Sequence, residues 1–214
     1  MKVIGIDLSG PRNTADTSLV IFEQQREQLH IIARREGADD RQILESISSL
    51  GRNERLVIGI DAPLSYQNGG GDRQSDAELR RLVLAKGRGI GVLPPTMIRM
   101  VYLTLRGMHL ARSFEALKPD PKIEIVEVHP GACLLLREAP AQDVALFKKS
   151  PIARRHLLDW LETQGLKGLK RDEPVSDHCV AACAAALGAW YWARGDSVWR
   201  FPAQPPEHPY DFAC

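Results

Sequence analysis

The pentapeptide VIGID occurs twice in the chain, at residues 3–7 and again at residues 57–61. Each copy is a short, mostly apolar run that ends in an aspartate, and the second copy is followed directly by Ala-Pro. Such runs are typical of strands that are buried on both faces of a sheet, and proline cannot continue the hydrogen-bond ladder. The repeat therefore predicts two buried strands that present Asp7 and Asp61 at their carboxyl ends, where open α/β sheets bind their ligands.

The segments between the two copies predict how these strands are arranged. Residues 17–23 and 28–34 have strand patterns and short polar connections, so we expect the first three strands to form an antiparallel meander. Residues 39–50 have helical periodicity and lead into the second VIGID strand. A strand that follows a helix can pair in parallel with the first strand through a right-handed crossover. The order β-β-β-α-β therefore places Asp7 and Asp61 in one crevice.

The second half of the chain predicts a helical insertion, a fifth strand and further helices. Residues 66–121 contain a glycine-rich loop and two helical patterns, which we interpret as an insertion or lid after the fourth strand. Residues 122–129 alternate as a fifth strand, with Glu127 at the far end of an otherwise apolar face. Helices are also predicted at residues 141–165 and, after an N-cap at Ser176, at residues 177–194, whereas the proline-rich tail from Phe201 is expected to be irregular.

Composition and charge exclude several classes of protein. With 214 residues, 44% of them hydrophobic, the chain is large enough for one globular domain. The 28 basic and 27 acidic residues give a net charge of +1, so no overall positive field would hold it on duplex nucleic acid. No apolar run approaches the roughly 20 residues that cross a bilayer, and Met1 leads straight into a strand pattern. We therefore expect a cytoplasmic protein without a signal peptide.

The four cysteines are expected to be reduced thiols and not a disulfide framework. Cys179 and Cys183 are four residues apart in a helical pattern and share one face. A zinc site would need two more ligands at suitable spacing, and only His178 is near. The sequence therefore favours no zinc site.

Four acidic residues lie at the ends of predicted elements, namely Asp7, Asp61, Glu127 and Asp177. Crowded carboxylates repel one another unless a cation is present, and Mg²⁺ and related ions prefer carboxylate oxygens. Two such ions about 4 Å apart can promote phosphodiester cleavage. Each acid also has a structural interpretation, because aspartate is common in turns and at helix starts. Only if the four acids meet do they predict a Mg²⁺ or Mn²⁺ centre.

Basic residues in the predicted insertion are candidates for binding phosphate groups. They are Arg73, Arg80, Arg88 and Arg99. Asp76 lies four residues before Arg80, so an ion pair on a solvated helix face is an equally good interpretation of that arginine.

Linked motifs over nearly the whole chain, to about Trp199, resemble the DUF429 family. They are VIGIDLSG, VIGIDAPLS, RQSDAELR at residues 73–80, the segment at residues 87–95, EVHPGA at residues 127–132 and SDHCVAACAAALGAW at residues 176–190. The resemblance implies a ribonuclease H-like fold and a predicted nuclease activity. It also implies that Asp7, Asp61, Glu127 and Asp177 are catalytic and bind the metal.

His129 departs from the family pattern, since many relatives have a tyrosine after the Glu-Val pair. Three roles are open for this side chain: a metal ligand, a proton shuttle, or a residue that only ends the strand. We include it with Arg73, Arg80 and Arg88 among the candidate substrate-binding residues.

We predict a single α/β domain over residues 1–214 with a ribonuclease H-like mixed sheet. Its expected activity is hydrolysis of phosphodiester bonds in nucleic acid or a nucleotide with Mg²⁺ or Mn²⁺. One alternative is a nucleotide phosphotransferase of the actin or sugar-kinase type, although the chain has no room for the usual two lobes. A second alternative is a nucleic-acid-binding module whose acids do not catalyse.

Overall fold

The computed structural model describes residues 1–50, 54–87, 90–117, 122–169 and 175–214, so Arg88 lies outside the described residues. The strands are β1 (Lys2–Asp7), β2 (Ser18–Gln25), β3 (Gln28–Glu36), β4 (Arg55–Asp61), β5 (Lys122–Val128), β6 (Leu166–Lys167), β7 (Arg200–Phe201) and β8 (Asp211–Ala213). The helices are α1 (Asp40–Ser48), α2 (Gln74–Ala85), α3 (Val101–Ala116), α4 (Pro130–Leu136), α5 (Ala141–Leu146), α6 (Pro151–Thr163) and α7 (Asp177–Arg194). Every helix within these ranges is too short or too polar to span a lipid bilayer.

The strands form one mixed sheet in the order β6-β3-β2-β1-β4-β5-β8-β7. The predicted meander is confirmed, because β1 pairs antiparallel with β2 and β2 pairs antiparallel with β3. The predicted parallel pairing of the two VIGID strands is also confirmed: Gly5 lies opposite Gly59, and Asp7 lies opposite Asp61. The protein is therefore an α/β protein whose two central strands end in facing carboxylates.

Apolar side chains on the two faces of the sheet form two separate cores. One core combines strand residues such as Val3 and Val57 with α4, α6 and α7. The other combines residues such as Ile4 and Ile58 with α1. The helices of the predicted insertion divide between these cores, because α2 contributes to the first and α3 to the second. Both helices thus belong to the packed body of the protein, and the insertion or lid over residues 66–121 stays a prediction.

The glycines of the VIGID repeat allow α7 to lie directly on the two central strands. A Cβ atom at Gly5 would lie 1.9 Å from the carbonyl oxygen of Ala182, and one at Gly59 would lie 2.4 Å from that of Ala185. The alanines of α7 provide the matching close approach from the helix side. This contact brings the first turn of α7, and with it Asp177, to the end of β1.

Replacing Gly59 with alanine is expected to destabilise the protein by about 1–3 kcal/mol, the usual cost of inserting atoms into a packed core. The clash is with backbone atoms of α7, which cannot rotate away as a flexible side chain would. Urea denaturation of the two proteins measures the difference. Gly10→Ala is the matched control, because nothing lies within 4 Å of its added Cβ atom. Equal losses in both variants would contradict the close-approach explanation.

The prediction that the chain is irregular from Phe201 onward is wrong. Strand β8 adds in parallel to β5, and β7 pairs antiparallel with β8. The Asp211 carboxylate anchors this hairpin: it accepts hydrogen bonds from Trp192 Nε1 at 2.6 Å and from the Ala203 amide at 2.8 Å. It also pairs with Arg200 Nε at 2.7 Å. Long-range contacts of this kind, not local periodicity, order the tail.

The sequence interpretation also missed helix α4, which follows β5 directly. Proline and glycine after a strand were taken only as a stop, but proline is favoured in the first turn of a helix because its missing amide hydrogen is not needed there. Pro130 occupies that position in α4, and the His129 side chain caps the helix. The turn that ends β5 therefore also begins a helix.

Candidate active site at the ends of the central strands

A cleft of about 660 Å³ lies at the carboxyl ends of β1, β4 and β5. The four predicted acids all line it, although they do not form one group. Asp7 and Glu127 are buried, at 7% and 5% exposed, whereas Asp177 is half-buried at the start of α7. The cleft is concave, as small-molecule and active sites usually are.

Asp7 and Asp61 form the centre of this cleft. The parallel register sets them side by side, and their carboxyl groups are hydrogen-bonded to each other. Burial, the negative charge of Asp7 and that hydrogen bond together raise the pKa of Asp61 well above its ordinary value. Two carboxylates in contact repel each other when both are ionised, so this arrangement favours the protonated form of Asp61.

His178 completes the environment of Asp7 from the first turn of α7. Its Nδ1 lies 2.7 Å from Asp7 Oδ2, and its Nε2 lies 3.9 Å from Asp16 Oδ1. The hydrogen bond with Asp7 raises the pKa of His178 above its ordinary value, although burial acts in the opposite direction. The raised pKa favours the protonated imidazole, whose Nδ1–H donates to Asp7, and this hydrogen bond holds Asp7 in one orientation.

Glu127 is engaged in a buried ion pair beside the carboxyl pair. Arg73 donates from Nη2 to Glu127 Oε1 at 2.5 Å and from Nη1 to Oε2 at 2.8 Å. The amide of Leu64 donates to the same Oε2 at 2.8 Å. Sequence reasoning predicted where Glu127 lies but not that a guanidinium compensates its charge.

Arg73 uses all of its five N–H groups within this cluster. Besides the two bonds to Glu127, Nε and Nη2 donate to the Asp76 carboxylate at 2.9 and 2.7 Å, and Nη1 donates to Ser65 Oγ at 3.1 Å. Burial would lower the pKa of Arg73, but the two carboxylates outweigh it and raise that pKa. A guanidinium satisfied in this way is a structural centre with no donor left for a substrate phosphate.

Arg80, the next predicted phosphate-binding residue, is also paired. It binds Asp72 through Nη1 at 2.6 Å and Nη2 at 2.7 Å, and its Nε donates to the carbonyl of Val92 at 3.0 Å. The alternative pairing of Arg80 with Asp76 is not what forms, because Asp76 is already bound to Arg73. The cations that line the cleft without a hydrogen bond or ion pair in the described ranges are Arg99, Lys148 and Lys149.

A family model described as "Protein of unknown function (DUF429)" matches residues 5–207. The chain belongs to the DUF429 family. A search of curated proteins and a search of solved structures returned no match. The matched region includes all four predicted acids, so the cleft described above is part of the DUF429 domain.

His129 has both ring nitrogens occupied in this DUF429 protein. Nδ1 accepts a hydrogen bond from the amide of Ala132 at 3.2 Å, and Nε2 lies 3.3 Å from the carbonyl oxygen of Gly91. Nε2 therefore carries the proton, and burial lowers the pKa of the imidazole. These contacts favour the structural interpretation of His129, in which it caps α4 and ties it to the loop at Gly91.

The DUF429 cleft also contains functional candidates that sequence reasoning did not select. His178 was considered only as a possible zinc neighbour, yet its position directly after Asp177 at a helix start was a usable signal. Lys148 and Lys149 lie between α5 and α6, and nothing local in the sequence connects them with Asp61. Their selection required the folded arrangement.

The described part of the chain contains no group of three or more His, Cys, Asp or Glu side chains arranged to hold a metal ion. A four-acid metal centre is therefore not supported. The carboxylates of the cleft that could bind an ion are the pair of Asp7 and Asp61, together with the half-buried Asp177. Mg²⁺ commonly binds through one or two carboxylates and keeps several waters, so this donor set fits one ion and not two.

Proposed function

We propose that this DUF429 protein is a divalent-ion-dependent phosphodiesterase that acts on nucleic acid. The observation that carries the proposal is the contact between Asp7 and Asp61 at the floor of a cleft. Maintaining the buried Asp7 and the half-buried Asp61 in contact costs stability, and such a cost is typical of functional sites. A bound divalent cation would remove the repulsion between the two carboxylates. A packing role for either residue would not require two acids in contact.

The sheet supports a ribonuclease H-like arrangement as the finer description of the fold. An antiparallel meander of three strands is followed by a helix and by a fourth strand parallel to the first. In this proposal the acids of the first and fourth strands bind the ion together. Glu127 does not bind the ion in this proposal. It forms a buried ion pair with Arg73, and this ion pair lies beside the two acids.

The side chains around the pair have separate roles in this proposal. Asp7 and Asp61 would hold the ion, which would supply Lewis-acid polarisation of a phosphoryl oxygen. His178 fixes the orientation of Asp7 through its 2.7 Å hydrogen bond. Lys148, whose charge acts on Asp61, lies on the rim where an incoming phosphate would pass.

A cleavage assay tests this proposal directly. End-labelled single-stranded and duplex DNA and RNA are incubated with the purified protein and Mg²⁺ or Mn²⁺, with EDTA as the control. We expect cleavage only with a divalent ion, and titration calorimetry should detect a single ion per chain. Absence of cleavage on every substrate with both ions, together with absence of calorimetric binding, would overturn the proposal and favour a non-catalytic binding module.

A further inference from the structure

The cleft above the acid pair has one wall that is apolar. Half-buried side chains from the loop before α3 and from the first turn of that helix face it. They are Ile90, Leu93, Met100 and Leu103. Such a wall offers van der Waals contact to a flat apolar group and cannot replace the hydrogen bonds of a paired base.

Three cations of the cleft lie on its rim and are available to a ligand. Lys148 and Lys149 follow α5 and are exposed, and Arg99 is exposed just before α3. None of the three has a hydrogen bond or ion pair with another described residue, in contrast to Arg73 and Arg80, which are fully paired. Unpaired cations at the rim, around the acid pair, favour a ligand whose negative charge lies at the rim and whose reactive bond lies beside the acids.

We propose that the cleft binds one unpaired nucleotide of a single-stranded nucleic acid, with its base against the apolar wall and its phosphate at Lys148 and Lys149. The inference rests on the proposed function and names the substrate class of the same site. A cleft of about 660 Å³ is within the range that encloses a small organic ligand, roughly 300–1,000 Å³, and so suits a nucleotide.

The depth of the acid pair argues against duplex substrates. Asp7 is only 7% exposed, so a phosphodiester must enter the cleft to reach it. A base that enters with its phosphate must leave its partner, which costs a few kcal/mol in a duplex and nothing in a single strand. The net charge of +1 also gives no overall positive field that would hold a duplex on the protein.

The test is equilibrium binding in EDTA, followed by fluorescence anisotropy, so that no cleavage occurs. A labelled single strand is expected to bind at least tenfold more tightly than its duplex. Lys148→Ala/Lys149→Ala should weaken single-strand binding by about tenfold. It should also reduce the salt slope by about 0.7, the contribution of the one single-strand phosphate that the two lysines neutralise together. Lys86→Ala/Lys122→Ala, which removes the same charge outside the cleft, should leave both quantities unchanged.

A variant of the apolar wall separates base contact from phosphate contact. Leu93→Ala should weaken single-strand binding severalfold without changing the salt slope. Equal affinity for duplex and single strand, or no effect of the lysine substitutions relative to their control, would overturn the inference. Competition by a free mononucleotide as strong as that by the single strand would show that the ligand is a mononucleotide, and this result would also overturn the inference. Binding without cleavage contradicts only the proposed function, and cleavage without single-strand preference contradicts only this inference.

Discussion

Asp61→Asn is expected to lower ion-dependent cleavage on the order of a thousandfold while making the ion-free protein more stable. The loss of activity follows from removing one of the two carboxylates that hold the ion, and it has the scale reported for one preorganised electrostatic group. The gain in stability follows because an amide does not repel Asp7 and can donate to it. We expect about 1 kcal/mol, the usual net contribution of one hydrogen bond to stability.

A substitution that lowers activity but raises stability identifies a functional carboxylate, whereas one that lowers stability identifies a structural carboxylate. Urea denaturation in EDTA and cleavage rates with Mn²⁺ provide the two readouts for each variant. Asp7→Asn should also remove activity, but with a smaller gain in stability, because it weakens the hydrogen bond with His178. Asp143→Asn, which changes an acid outside the cleft, is the control. A loss of stability in Asp61→Asn would show that the carboxyl pair supports the fold, contrary to our interpretation.

Arg73→Met is expected to destabilise the protein by about 3–5 kcal/mol, the cost of breaking a buried ion pair from one side. The substitution leaves the carboxylates of Glu127 and Asp76 buried, at 5% and 2% exposed, without the guanidinium that compensates both. Arg73→Lys should recover only part of this loss, because an ammonium cannot form the two planar bidentate pairs. Urea denaturation measures each free energy of unfolding.

Neutralising the partners identifies the source of this loss. Adding Glu127→Gln and Asp76→Asn to Arg73→Met should restore much of the stability, because no uncompensated charge remains buried. Glu127→Gln alone keeps the Arg73–Asp76 pair and provides a folded variant if Arg73→Met proves insoluble. A cost below about 1 kcal/mol for Arg73→Met would equal that of a surface pair and contradict the buried-cluster interpretation.

The candidate site could be predicted from the sequence only in part, and the acids show where the limit lies. Asp7 and Asp61 were predicted together because one repeated pattern determines two strands and the helix between them determines their parallel pairing. Glu127 was predicted at its strand end, but its partner Arg73 is 54 residues away, and no local spacing connects them. The local alternative of Asp76 with Arg80 was not realised, since the buried Arg73 guanidinium already binds Asp76 while the half-buried Arg80 binds Asp72.

The sequence by itself determined the elements whose cause is local. The bounds of β1 and α7 follow from a buried apolar run and from a helix between its cap at Ser176 and the left-handed Gly195. Only the tertiary structure decided how the tail adds β8 to the sheet, which cation neutralises each acid, and which lysines line the cleft. Strand periodicity and helix caps act over a few residues, whereas charge compensation and strand addition depend on groups brought together by the folded chain.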